Sequence, residues 1–246
     1  MTKTTEPYRK DILGDLDQHT DSVYPLIPAA TVVLLRTQNG AVEVLMLQKN
    51  MGIAFGGMWV FPGGKIDAAD YPDDNDMLSA ASTAAVRETE EETGLRLNPD
   101  DFIWFSHWTP PPSTPKRFST WFFVAETDFK DKITVDGGEI LDHRWIKPEE
   151  ALAHQAAGDI ELAPPTWVTL HQLAKRQTIA EILQQFERAD PLHFATRLER
   201  TEAGTPVAIW FGDSAFDSGD LNAPGQRHRL LLKRGGFVFE NTVVDY

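Results

Sequence analysis

Cysteine is absent from the 246 residues of this chain. Its absence excludes disulfide bonds, cysteine-ligated zinc, iron–sulfur clusters and a cysteine nucleophile. The sequence also lacks long apolar runs. A membrane-spanning helix needs about 18 consecutive apolar residues, and no stretch is that long. Residues 1–15 hold no apolar segment of the kind found in secretory signals. We therefore expect a cytoplasmic protein without a membrane partner.

Positive charge is scarce. Lys and Arg together number 23, against 37 Asp and Glu, which gives a formal net charge of −14. Because nucleic-acid binding needs a basic face, we expect no nucleic-acid partner. The acids are concentrated in residues 67–92, which contain five Asp and four Glu but Arg87 as the one basic residue. This segment is either a solvated acidic surface or a cation site.

Strand and helix patterns alternate along the first two thirds of the chain, which predicts an α/β fold with a mixed sheet. A helix is predicted from Leu78 to Thr93, with Gly94 just past its last turn. A second helix is expected to begin at Pro148. The predicted strands are residues 29–35, 42–47, 102–108, 118–125 and 140–146, the first two joined by a turn at Asn39-Gly40.

The pattern changes after residue 162. Helices are predicted at residues 166–174 and 178–189, strands at 192–198 and 207–211, and a closing hairpin at 230–233 and 237–240. We divide the chain into an N-terminal arm (1–27), an α/β domain (28–160) and a C-terminal α+β extension (161–246) that packs on the same domain. A homodimer is left open as the assembly.

The end of the first predicted helix has an unusual charge pattern. Glu88 lies three and four residues before Glu91 and Glu92, so all three carboxylates share one face. Each like-charged pair costs a few tenths of a kcal/mol, and the helix dipole disfavours acids at this end. A bound Mg²⁺ or Mn²⁺ would remove both penalties, because these ions prefer oxygen ligands. Arg87 is placed to pair with Glu91.

Two segments, FPGGKIDAAD and RETEEETGL, together resemble the box of the Nudix hydrolases, Gx5Ex7REUxEExGU. Gly64 is followed six positions later by Asp70, as in the first half of the box. The second half matches in order and spacing at Arg87, Glu88, Glu91, Glu92, Gly94 and Leu95. Asp70 stands where the family has its first Glu, and Thr89 replaces an aliphatic residue. Sixteen residues separate Asp70 from Arg87, where the family pattern has seven.

The resemblance implies an α/β/α sandwich and the metal-dependent hydrolysis of a nucleoside diphosphate derivative, a small-molecule partner. The implied metal ligands are Glu88, Glu91 and Glu92, with Mg²⁺ or Mn²⁺ as cofactor. Glu91 and Glu92 are also implied as catalytic residues, together with Arg87, and Glu139 or Asp142 as a base from a later loop. We further expect Gly63, Gly64 and Arg117 to bind substrate.

The insertion and the extension resemble the Nudix branch that includes peroxisomal coenzyme A diphosphatases, so coenzyme A or acyl-CoA is the first expected substrate. ADP-ribose or a dinucleotide is the alternative, since Ile53 stands where another coenzyme A signature has Arg. A Nudix-fold ligand sensor without turnover is the rival from another class. A calcium-binding module at residues 73–76 is disfavoured, because the EF-hand spacing is missing.

Overall fold

The computed structural model describes Arg9, residues 23–127 and residues 133–245. Most of the predicted N-terminal arm therefore lies outside the described residues. The strands are β1 Leu26–Gln38, β2 Ala41–Lys49, β3 Trp59–Val60, β4 Gly63–Lys65, β5 Ile103–Thr109, β6 Arg117–Glu126, β7 Ile140–Ile146, β8 Leu192–Ala195, β9 Arg197–Arg200, β10 Pro206–Ile209, β11 His228–Leu231 and β12 Val238–Asn241. The helices are α1 Met77–Thr93, α2 Pro148–Ala157, α3 Pro164–Leu173 and α4 Ile179–Arg188.

A mixed sheet of eight strands forms the centre of the described chain. Its main order is β3-β2-β1-β6-β5-β8, with β4 also pairing β1 and β7 also pairing β2. The pairs β1–β6 and β5–β8 are parallel, and the others are antiparallel. The predicted turn between β1 and β2 is confirmed: Asn39 and Gly40 both have positive φ, as a two-residue hairpin of primed type requires.

Strand β1 is buried on both faces, because helices cover both sides of the sheet. Val32 and Leu34 pack in one apolar cluster with the alanine face of α1. Val33 and Leu35, which alternate with them along the strand, belong to a second cluster with residues of α3 and α4. The predicted α/β/α sandwich is thereby confirmed.

Helix α1 carries the predicted acidic face and has well-formed ends. Asp76 caps its N-terminus by accepting a hydrogen bond from the Ser79 N–H at 2.7 Å. Gly94 ends it in the left-handed conformation, with φ of 75°. Small side chains line the face toward the sheet and let the helix approach closely: Ala80, Ala81, Ala84 and Ala85.

The C-terminal extension shares the central sheet and adds a second one. Strand β8 pairs parallel to β5, whereas β9 belongs to the four-stranded sheet β12-β11-β10-β9. The prediction of a single strand over residues 192–198 is therefore wrong. Thr196 separates β8 from β9 and its N–H donates to the Thr109 carbonyl, after which the chain turns to pair with β10. The closing hairpin is confirmed as β11 and β12. None of the helices in the described ranges is long and apolar enough to cross a membrane.

Candidate functional site

Strand β4 and helix α1 bring the two segments of the box together. The carboxylate of Glu92 accepts a hydrogen bond from the Gly63 N–H at 3.0 Å. Gly64 lies so close to Glu88 that a Cβ atom at position 64 would overlap the Glu88 carboxylate. The lack of a side chain at Gly64 thus makes room for the Glu88 carboxylate, whereas at Gly63 it makes room for the backbone of β1 at Ala30 and Thr31.

Arg87 connects the acids of the two box segments into one charged network, which consists of Asp70, Glu88 and Glu91 with Arg87 at the centre and of Lys49, Glu92 and Glu139 beside it. Its Nε and Nη2 donate to Asp70 at 3.0 and 2.9 Å. Its Nη1 donates to Glu88 at 3.0 Å and to Glu91 at 3.3 Å, and Nη2 also reaches the Lys65 carbonyl. Burial alone would raise the pKa of Asp70, but the bonds from Arg87 and from the Asp67 N–H outweigh it and lower that pKa. Asp70, in the place of the first box acid, therefore orients Arg87.

Lys49, the last residue of β2, was not identified from the sequence. Its Nζ lies 3.1 Å from a Glu92 oxygen and 3.5 Å from a Glu139 oxygen. Lys49 therefore connects the box helix with the loop acid that the sequence had marked as a candidate base. The spacing of residues within a motif could not predict these two ion pairs, because Lys49, Glu92 and Glu139 lie in separate parts of the chain.

Burial changes the pKa values of Glu92, Glu88 and Lys49 in this charged network. It raises the pKa of Glu92 to about 7, against the opposing effects of Lys49 and of the Gly63 N–H. Burial also raises the pKa of Glu88, although Arg87 opposes the shift. For Lys49, burial would lower the pKa, but Glu92 and Glu139 more than offset this and raise it. Perturbed pKa values of this kind are typical of functional sites.

A cavity of about 590 Å³ opens beside the box. Gly63, Gly64, Glu88, Lys49 and Glu139 line it on the side of the box. The proline loop after β5 and the start of α3 line it elsewhere. The cavity therefore joins the charged cluster to the C-terminal extension. Its size lies within the range of small-molecule sites in proteins.

A family model described as NUDIX domain matches residues 25–165. The chain belongs to the Nudix family. The matched range contains the whole charged network, from Lys49 to Glu139. It ends at the start of α3, so most of the extension lies beyond it.

Known Nudix proteins resemble parts of the chain. A Caenorhabditis elegans protein that bears the name nudix hydrolase 7 is 26% identical over 169 residues, 54% of this chain and 56% of that protein. The Escherichia coli (strain K12) phosphatase NudJ is 30% identical over 95 residues, 39% of this chain and 55% of NudJ. The chain thus spans little more than half the length of these curated relatives. A NUDIX hydrolase from Alicyclobacillus acidocaldarius shares the fold, with a TM-score of 0.57 and 21% identity over 67% of this chain and 97% of its own.

Nudix hydrolases generally use divalent metals, and the box carboxylates have the chemistry for one. Glu88 pairs with Arg87 and Glu92 pairs with Lys49, so both carboxylates already have a positively charged partner. Glu91 is 60% exposed, shares the Arg87 Nη1 with Glu88 and does not line the cavity. As they stand, no three acidic or histidine side chains within the described ranges group closely enough to hold a metal. The donor set fits a hard cation if the ammonium and guanidinium groups give way.

The structure does not bring Arg117 or Asp142 to this cavity. The Arg117 Nε donates to the Pro110 carbonyl at 2.9 Å, and its Nη1 donates to the Tyr24 carbonyl at 3.3 Å. Arg117 thus fastens the proline loop, while its neighbour Lys116 lines the cavity. Asp142 lies exposed on β7, and its carboxylate accepts from the His143 N–H. Of the two later acids, Glu139 is the one beside the box.

Proposed function

We propose that this Nudix protein hydrolyses the diphosphate linkage of a nucleoside diphosphate derivative. The observation that carries the proposal is the meeting of the two box segments at the cavity, where Gly63, Gly64 and Glu88 line the wall. Just behind it, the Glu92 carboxylate accepts a hydrogen bond from the Gly63 N–H. The names of two relatives, a nudix hydrolase and a phosphatase, support hydrolysis as the reaction class.

Glu88, Glu91 and Glu92 would hold Mg²⁺, or Mn²⁺ in its place. When bound, the ion would supply charge neutralisation and lower the pKa of water. Arg87 contributes by fixing the Glu88 carboxylate and restraining the more exposed Glu91.

A general base is also needed to take the proton from the attacking water. Glu139 meets the geometric requirement, since it is 64% exposed, lines the cavity and lies within 3.5 Å of Lys49. Lys49 would hold this carboxylate near the box and add positive charge beside the diphosphate. Glu91 and Glu92 are the alternative bases that the family resemblance implies.

Coenzyme A or acyl-CoA is the proposed substrate, ahead of ADP-ribose or a dinucleotide. The resemblance to the coenzyme A diphosphatase branch supports this order. So does the cavity, because residues of the extension line part of it and a short mononucleotide would leave that part unused. Hydrolysis would yield 3′,5′-ADP and 4′-phosphopantetheine. A cytoplasmic location and a homodimeric assembly stay predictions.

The test is a screen of coenzyme A, an acyl-CoA, ADP-ribose and a dinucleoside polyphosphate with Mg²⁺ or Mn²⁺, with products identified by mass spectrometry. Glu90→Gln is the matched control for Glu91→Gln, because Glu90 lies on the same helix and pairs with Arg96. We expect cleavage of coenzyme A, lost in Glu91→Gln and kept in Glu90→Gln. Much faster cleavage of ADP-ribose would reject coenzyme A and leave the hydrolase proposal standing.

A non-catalytic ligand sensor is the second candidate function. The ion pairs of Lys49 with Glu92 and of Arg87 with Glu88 favour it, because they neutralise the box acids without a metal. A sensor would bind a nucleoside diphosphate derivative yet release no product with either metal over long incubation. Metal-dependent turnover that Glu91→Gln abolishes would reject the sensor.

A further inference from the structure

The walls of the cavity differ in charge. Among the described residues, the charged side chains that line it belong to the segment from β2 to the loop before β7: Lys49, Lys65, Asp67, Glu88, Lys116 and Glu139. The described residues that the C-terminal extension contributes carry no charge: Ala163, Pro164, Pro165, Thr166, Thr196 and Ala208. The lysines of the first wall, Lys49, Lys65 and Lys116, would attract a diphosphate, and the group attached to that diphosphate would then face the second wall.

Phe55 extends the uncharged wall and has a strained backbone. Its φ is 59°, in the left-handed region that bulky residues seldom adopt. Its ring is half-buried and lies 5.8 Å, centroid to centroid, from the ring of Phe118. It also packs against a small cluster formed by Met58 and Ala163, the latter from the extension.

Backbone hydrogen bonds of the loop hold Phe55 in this conformation. The Met58 N–H donates to the Phe55 carbonyl at 3.0 Å, and the Gly57 N–H donates to the Lys49 carbonyl at 2.9 Å. The loop is thus closed directly onto the residue that pairs with Glu92. Strain maintained by its surroundings is frequent at ligand clamps, which makes Phe55 a candidate for ligand contact.

We propose that Phe55, Phe118 and the uncharged wall of the extension form a subsite for an apolar group of the substrate. The occupant is an alkyl or aryl substituent attached to the diphosphate, and the subsite discriminates against a second charged nucleotide. This inference rests on the proposed function, because the diphosphate must lie at the charged wall for the substituent to reach Phe55. Burial of the substituent adds affinity in the ground state and transition state alike, so it lowers KM and leaves kcat unchanged.

The test uses adenosine 5′-diphosphate esters with methyl, butyl and octyl groups on the terminal phosphate. Binding to the full chain is measured by calorimetry in EDTA, and turnover is measured separately with Mg²⁺. Each buried methylene should tighten binding by about threefold to fourfold, so the butyl ester should bind at least about tenfold more tightly than the methyl ester. An affinity that does not depend on chain length would overturn the subsite.

Substitutions at Phe55 and Phe118 test whether the dependence of affinity on chain length arises at the proposed subsite. Phe55→Asn removes the ring but keeps a residue that tolerates positive φ, and Phe118→Ala removes its neighbour. Phe211→Ala is the matched control, because this extension residue is 75% exposed and does not line the cavity. We expect both cavity variants to bind the three esters with nearly equal affinity, and the control to keep the wild-type trend. Full chain-length dependence in both cavity variants would contradict the proposal.

The two measurements separate this inference from the proposed function. Chain-length-dependent binding that needs Phe55, without any turnover, would support the subsite and reject the hydrolase. Turnover of all three esters with equal kcat/KM and equal affinity would support the hydrolase and reject the subsite.

Discussion

Two buried carboxylates, Asp213 in the extension and Glu92 in the box, differ in how well their hydrogen-bond donors satisfy them. In the extension, Asp213 accepts from the Arg229 Nε at 2.7 Å and Nη2 at 2.6 Å. It also accepts from the backbone N–H groups of His228 and Ala215, each at 2.8 Å. Burial would raise the pKa of Asp213, but these bonds outweigh it and the pKa is lowered.

In the box, Glu92 is nearly as buried but less well satisfied. Lys49 donates at 3.1 Å and Gly63 at 3.0 Å, and burial still raises the pKa of Glu92 to about 7. A carboxylate that is fully hydrogen-bonded serves the fold, whereas one that stays under-satisfied leaves room for a ligand's charge. The comparison therefore predicts a structural role for Asp213 and a functional one for the box acids.

The largest expected effect is on stability, at the ion pair of Asp213 with Arg229. Asp213→Asn should lower the free energy of unfolding by about 3–5 kcal/mol, because it leaves the buried Arg229 guanidinium without a counter-charge. Urea unfolding at neutral pH measures this. Asp220→Asn is the control, since Asp220 is exposed in the same extension and Asn keeps its hydrogen bond to the Asn222 N–H. Equal stability of the two variants would contradict the comparison.

Glu91→Gln should do the opposite: a large loss of turnover with little change in stability. Loss of one metal-ligand charge should lower kcat at least about a hundredfold, close to 3 kcal/mol of transition-state stabilisation. Glu91 is exposed and paired with Arg87 alone among the described residues, so thermal unfolding without metal should stay within about 0.5 kcal/mol of wild type. Strong destabilisation by this substitution would make the box helix end structural, as Asp213 is.

Lys49→Met tests whether a metal ion can take the place of the Lys49 ammonium group beside Glu92. Without metal it leaves the buried Glu92 carboxylate without a counter-charge and with the Gly63 N–H as its remaining bond among the described residues, which should cost about 1–3 kcal/mol of stability. Mg²⁺ should then stabilise the variant more than the wild type, because no ammonium group competes for Glu92. Thermal unfolding with and without millimolar Mg²⁺ tests this, with Lys147→Met as control, since Lys147 is half-buried and pairs with Glu150. A loss that Mg²⁺ leaves unchanged would indicate that no cation can replace Lys49.

The parts of the molecule that sequence predicts well are those set by local spacing. The hairpin at Asn39-Gly40 and the helix ending at Gly94 depend on residues within one or two turns of each other. The shared face of Glu88 and Glu91 follows from helical periodicity in the same way.

Pairings between distant segments could not be predicted. Lys49 and Glu92 are 43 residues apart, and nothing near Lys49 marks it as a partner of the box. Arg117 was expected at a phosphate because its charge was visible, while the Pro110 and Tyr24 carbonyls that engage it are not distinguishable in sequence. Thr196 interrupts an apparently continuous strand because β8 and β9 find partners in different sheets.

The smallest predicted effect concerns the pH dependence of the Asp213 contribution. Because the folded pKa of Asp213 is lowered, its stabilisation is complete above the unfolded pKa of about 3.9 and is lost as pH falls through the folded value. The stability difference between wild type and Asp213→Asn should therefore be constant from neutral pH to about pH 5. Below about pH 4 it should shrink, by at most about 1.4 kcal/mol per pH unit, since one proton is involved. Paired urea titrations across this range measure the difference, and the Asp220→Asn difference should stay flat. A difference that grows in acid would mean that the ionised carboxylate is not what Arg229 stabilises, and the contrast with Glu92 would lose its electrostatic basis.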